Sequence, residues 1–204
     1  RLRSVLFRIR SLLGDIEQRT GLGKTVQDGV AAVDDDIARF QQALQQLAAR
    51  AEPEMLERAV QLLADADTIY IAGLRRSFSV ASYLTYALRH LDRKAFLIDG
   101  LGGMFTEQLS LVGPKDVVVA VSFSPYAREV VELVELGAQR KARQIAITDS
   151  QVSPLAAFSD VCFVVREAQV DGFRSQVASL CLAQTLAVSL ALNSSQESEA
   201  KQKA

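Results

Sequence analysis

Ile69-Tyr70-Ile71-Ala72-Gly73-Leu74-Arg75-Arg76-Ser77-Phe78-Ser79-Val80-Ala81 is a short β-branched apolar run, a glycine turn rich in arginine and serine, and the opening of a helical pattern. A strand, a loop and a helix follow from that order. The same grammar returns about fifty residues later. Val117-Val118-Val119-Ala120-Val121 is a second apolar run, and Ser122-Phe123-Ser124-Pro125-Tyr126-Ala127-Arg128-Glu129 follows it. Two strand-to-helix turns with paired serines predict one anion site built from two loops. Hydroxyls and first-turn amides are the donors a phosphate oxygen accepts from.

Along the rest of the chain, β-branched runs alternate with helical patterns. Strands are expected at 68–73, 94–98, 116–122, 143–149 and 160–165, and helices at 77–91, 103–111, 126–141 and 171–193. Such alternation predicts an α/β fold with a five-stranded parallel sheet, doubly wound and covered on both faces. In the common flavodoxin-like order 2-1-3-4-5, the first and third strands are neighbours at the switch in strand order, where ligands lie. Those two strands carry the serine turns.

An N-terminal helical extension precedes the sheet. Leu2, Val5, Ile9, Leu12 and Ile16 mark an amphipathic helix with a basic outer face. Val26, Val30, Val33, Ile37, Phe40, Leu44 and Leu47 step by fours and threes, which fits a dimer seam or a helix packed on its own sheet. Pro53 opens a third helix to about Ala66, since proline suits a first helical turn. The expected organisation is residues 1–52 as linker or dimerisation segment, 53–193 as the ligand-binding domain, and 194–204 as a loose polar tail. The chain opens on Arg1, as a piece or processed form of a longer protein would.

The 204 residues are 49 % hydrophobic and 23 % charged, with a net charge of −1. That balance is ordinary for a globular protein and gives the whole molecule no attraction for nucleic acid. No unbroken run of 18 apolar residues predicts a membrane span. Cys162 and Cys181 sit in apolar runs without metal spacing and read as core residues of a cytoplasmic protein. Asp34-Asp35-Asp36 lacks metal-loop spacing and reads as a solvated face. Neither a metal nor a cofactor is expected.

The two serine turns resemble those of the sugar isomerase (SIS) domain, a module that binds phosphorylated sugars. Gly73, Ser77 and Ser79 match its first motif, and Ser122, Ser124 and Glu129 its second. The chain departs from that motif at Pro125, where glycine is usual, and at Ala127, where a phosphate-binding threonine is usual. Ile147-Thr148-Asp149-Ser150 with Ser153-Pro154 also fits. More narrowly, Ser122–Glu129, the segment Phe173–Leu180 and the helical lead-in resemble the effector half of RpiR/MurR-type transcription regulators. The resemblance implies a homodimer or tetramer that senses a phosphosugar and reaches DNA only through a helix-turn-helix domain not present in this chain.

The expected ligand-binding residues are Gly73, Arg75, Ser77, Ser79, Ser122, Ser124, Tyr126, Arg128 and Asp149. Arg76 adds charge beside them. The competing assignment for the serines is helix capping. The alternative function is a phosphosugar (aldose–ketose) isomerase, with Glu107, Glu129 or His90 as the base. For the sensor no catalytic residue is expected. His90, the one histidine, equally suits a helix C-terminus, and Glu107 a solvated face.

Overall fold

The computed structural model describes residues 23–170 and 173–203. The expected helix at Leu2–Ile16 lies outside the described residues. Helix α1 (Gly23–Arg50) leads into α2 (Pro53–Asp65). The sheet strands are β1 (Ile69–Gly73), β2 (Ala95–Ile98), β3 (Val117–Val121), β4 (Arg143–Thr148) and β5 (Val161–Val164). Between them run α3 (Phe78–His90), the short α4 (Phe105–Gln108) and α5 (Arg128–Gln139). Two-residue strands β6 (Gln169–Val170) and β7 (Phe173–Arg174) pair antiparallel before the long α6 (Val177–Lys203).

The five strands stand in the order β2-β1-β3-β4-β5, and every pairing is parallel. All five residues of β1 and of β3 are buried, as strands covered on both faces must be. Ile71, Val119 and Ile147 look toward a core shared with Leu63, Leu84 and Leu186 of α2, α3 and α6. Tyr70, Val118 and Ala120 face the other way, toward Leu133 and Val130 of α5. Each fully buried leucine stabilises the fold by roughly 1.5–3 kcal/mol. The stacked layers fix β1 against β3, and so fix the two serine loops side by side.

Three expectations change. The helix expected at 103–111 shrinks to Phe105–Gln108, because Gly100, Gly102 and Gly103 take positive φ just before it. A Cβ on Gly100 would sit 2.1 Å from the Phe105 ring, so the chain turns there through glycine. The last helix begins at Val177 rather than 171 and continues to Lys203, past the point where a loose tail was expected. Cys181 is exposed rather than in the core, whereas Cys162 is half-buried and its thiol is pushed up by burial.

The apolar stripe of α1 is partly used within the chain: its Leu47 packs against the main core, in which the neighbouring Ala43 is buried. By length and composition Val177–Ser195 could cross a membrane. One side of it, with Ala178, Leu182, Leu186 and Leu190, is buried in the same core.

Candidate functional site

β1 ends at Gly73 and the chain folds back sharply. A Cβ on Gly73 would lie 2.8 Å from the Ser77 carbonyl oxygen and 2.9 Å from the Ala81 Cβ. Only glycine lets the loop sit this close to the strand end. Arg75 has φ +54°, a left-handed conformation that costs a non-glycine residue roughly 1–2 kcal/mol. A turn of 3₁₀ helix over Arg75–Ser77 then leads into α3, with the Ser77 amide donating to the Leu74 carbonyl at 3.0 Å. Ser77 is 9 % exposed and makes no side-chain capping bond to α3. Arg75→Gly is expected to raise unfolding stability by about 1 kcal/mol in urea melts while weakening anion binding. The opposed signs identify a strained position retained for its charge.

The second loop leaves β3 and is held from β4. Ser122 extends the sheet, its amide donating to the Ile147 carbonyl at 3.1 Å. Its hydroxyl accepts from the Ala127 amide at 3.3 Å. Asp149, just past β4, accepts from the Ser124 amide at 3.0 Å through Oδ2 and from the Tyr126 hydroxyl at 2.8 Å through Oδ1. Burial, and then the hydrogen bond to Asp149, hold the Tyr126 phenol above its ordinary pKa, so it stays a donor through neutral pH. Ala127 occupies the N-cap position of α5 with no side-chain cap, and the Ser124–Pro125 peptide is cis. Neither serine turn is therefore an ordinary helix cap.

A third segment closes over the pair. Arg174, on β7, donates from Nη2 to the Ser124 carbonyl and places its guanidinium 5.0 Å from the Phe123 ring centroid. The Ser79 hydroxyl has two acceptors in reach for its one proton, the Gln176 side-chain oxygen and the Arg76 carbonyl at 3.1 Å. Between the segments lies a cleft of about 100 Å³, room for roughly three waters. That is the scale of one phosphate group. Arg75, Arg76, Ser77, Ser122, Ser124 and Arg174 are in its lining, which contains no carboxylate or imidazole. Three guanidiniums with hydroxyls around a small cleft suit an anion.

The SIS domain family matches residues 62–194. The chain belongs to the SIS domain family. It is 32 % identical over 177 residues to a bifunctional protein glk from Paraburkholderia xenovorans, covering 84 % of this chain and 27 % of that one. It is 27 % identical over 143 residues to an uncharacterized HTH-type transcriptional regulator, YbbH, from Bacillus subtilis, covering 70 % and 50 %. The chain thus spans about a quarter to a half of such curated relatives. The fold is similar to the sugar isomerase domain of an RpiR transcription factor from Sphaerobacter thermophilus, with TM-score 0.76, 26 % identity and coverage of 83 % and 94 %. It is also similar to the Vibrio vulnificus NanR protein complexed with ManNAc-6P, with TM-score 0.73, 25 % identity and coverage of 84 % and 66 %.

Within this SIS domain the expected residues divide. Arg75, Ser77, Ser122 and Ser124 line the serine cleft together. Gly73, Ser79, Tyr126 and Asp149 shape it from behind: Gly73 by close approach, the others through the bonds just described. Arg128 is not brought to it. Its guanidinium, 89 % exposed, pairs with Glu132 at 2.7 Å along the solvent side of α5. Asp149 also borders a larger cleft of about 500 Å³, walled by Leu47 and Arg50 of α1 and by Arg166.

Of the candidate bases, Glu107 is exposed on α4 and Glu129 half-buried in the first turn of α5. His90 stacks on Tyr86, 6.3 Å between centroids, at the far end of α3. None lines the serine cleft. Among the described residues no cluster of His, Cys, Asp or Glu is arranged to hold a metal. Arg174 lines the cleft and is not among the residues expected there. It lay in the segment expected to be helix, and two-residue strands carry no periodic signal.

Proposed function

We propose that this SIS domain grips the phosphoryl group of a sugar phosphate in the serine cleft and is the ligand-sensing part of a transcription regulator. The observation that carries the reading is the cleft itself: hydroxyls and guanidiniums converge there from loops after two adjacent parallel strands. The solved NanR relative, bound to ManNAc-6P, and the regulator name of the Bacillus relative support ligand class and role. In the longer protein, two copies of the chain respond to the ligand, and DNA is reached through a helix-turn-helix domain outside these residues.

Each hydrogen bond to a bound phosphate contributes roughly 1.5–3 kcal/mol. A few suffice for the micromolar-to-millimolar range, about 4–8 kcal/mol. Isothermal titration with ManNAc-6P and hexose 6-phosphates is expected to show binding that weakens with salt, with none for the same sugars lacking phosphate. Ser77→Ala is expected to lower affinity about tenfold, for about 1.4 kcal/mol lost. Equal binding of phosphorylated and free sugars would refute the cleft as an anion site.

The isomerase reading needs a base to move a proton between adjacent carbons, and with only the phosphoryl group in the cleft that base would stand beyond its lining. A coupled isomerase assay over aldose and ketose phosphates separates the two. Turnover abolished by Glu129→Gln, Glu107→Gln or His90→Gln would replace the sensor with an enzyme.

A further inference from the structure

The cleft of about 500 Å³ at the ends of β4 and β5 takes no part in gripping a phosphoryl group. Small-molecule clefts span roughly 300–1,000 Å³, so this one has room for a metabolite of its own. Its walls come from the α1–α2 corner, the turn after β4 and the end of β5. The buried part of the lining is apolar. Phe163 belongs to the main core, and Leu47 and Met55 pack against that core. The outer part is charged, with Arg50, Glu52 and Arg166 exposed and Asp149 half-buried.

These charges balance, two guanidiniums against two carboxylates. They are also uncommitted to one another: among the described residues Arg50, Glu52 and Arg166 are in no ion pair. A lining of one sign selects an ion of the other. A balanced set beside an apolar floor suits a molecule with both charges and an apolar body. The backbone repeats the pattern. Helix α1 ends at Arg50 and α2 begins at Pro53, so free carbonyls at one helix end and free amides at the other flank the same cleft. Glu52, the N-cap residue of α2, makes no side-chain bond to that helix, and its carboxylate stays available.

We propose that this cleft binds an apolar α-amino acid. The ligand's carboxylate pairs with Arg50 and Arg166, whose planar forks match it. Its ammonium meets Glu52 and Asp149, and its side chain lies on Leu47, Met55 and Phe163. Asp149 keeps its bonds to the Ser124 amide and the Tyr126 hydroxyl, since a carboxylate accepts about four hydrogen bonds. The site shares no lining residue with the serine cleft, so it stands whether or not that cleft takes a sugar phosphate.

The test is isothermal titration of the 204-residue chain with L-leucine, L-methionine and L-phenylalanine. At least one is expected to bind in the micromolar-to-millimolar range. The amide of that amino acid, which lacks the carboxylate, and its N-acetyl form, which lacks the ammonium, are each expected to bind at least ~10-fold more weakly. Arg166→Gln, at an exposed position, is expected to weaken binding by at least ~10-fold as well. Arg140→Gln, at the C-terminal end of α5, is expected to change nothing. Alkylation of Cys162, which lines the cleft, should slow in the presence of the amino acid while the exposed Cys181 reacts at its usual rate, a readout that needs no variant. No binding at millimolar concentration, equal binding of the amide or the N-acetyl form, wild-type affinity in Arg166→Gln, or an unchanged rate at Cys162 would each overturn the proposal.

Discussion

Asp149→Ala is expected to weaken sugar-phosphate binding by about a hundredfold or more, although Asp149 does not line the anion cleft. Its two carboxylate oxygens hold the Ser124 amide and the Tyr126 hydroxyl. Hydrogen bonds to a charged group contribute about 1.5–3 kcal/mol each. Without both, the second serine loop loses the geometry that points Ser122 and Ser124 at one place, and binding must then pay to order it. Asp149→Asn separates charge from shape. An amide oxygen still accepts one bond, so a loss of roughly tenfold is expected. Calorimetric titration measures both variants. Near-wild-type affinity in Asp149→Ala would mean that the loop is held by other contacts and that the carboxylate only borders the larger cleft.

The second large effect is expected at Arg174. Arg174→Ala removes one of three guanidiniums at the cleft, the bond to the Ser124 carbonyl and the stacking on Phe123. A loss of about thirty- to a hundredfold in affinity follows from a lost charge-assisted contact. The slope of affinity against salt should become shallower as well, since one cation no longer faces the anion. Arg174→Lys is expected to recover little. Lysine keeps the charge but lacks the planar fork that lies over the ring and reaches the carbonyl together. Full recovery by lysine would reduce Arg174 to a point charge. Unchanged affinity in Arg174→Ala would remove it from the site.

The contrast between these two residues shows what the sequence could reveal. The sheet was legible because β1 and β3 are unbroken apolar runs, and runs buried on both faces admit few other places. The observed strands differ from the expected ones by at most one residue at each end, and the order 2-1-3-4-5 is as expected. Ser77, Ser122 and Ser124 were legible for the same reason, since their positions follow from the strands they succeed. Asp149 was legible as a position but not as a role. Its partners lie 25 and 23 residues earlier in the chain, and no local pattern records that pairing. Arg128 was misplaced because the face of a helix is fixed by what packs behind it, here Val130 and Val134. Arg174 was hidden because the apolar pattern of α6 was extended backward over a hairpin too short to show a period of its own.

The hairpin has one more attachment. Arg39 of α1 donates to the Gln169 carbonyl at 3.1 Å, and Gln169 is the register partner of Arg174. A mechanical linkage therefore joins the amino-terminal rod to Arg174 at the proposed anion cleft. Thermodynamic coupling is the same in both directions. If the cleft holds an effector as proposed, any torque on that rod that strains the Arg39 tether loosens the grip by the factor with which the effector, once seated, stiffens the rod.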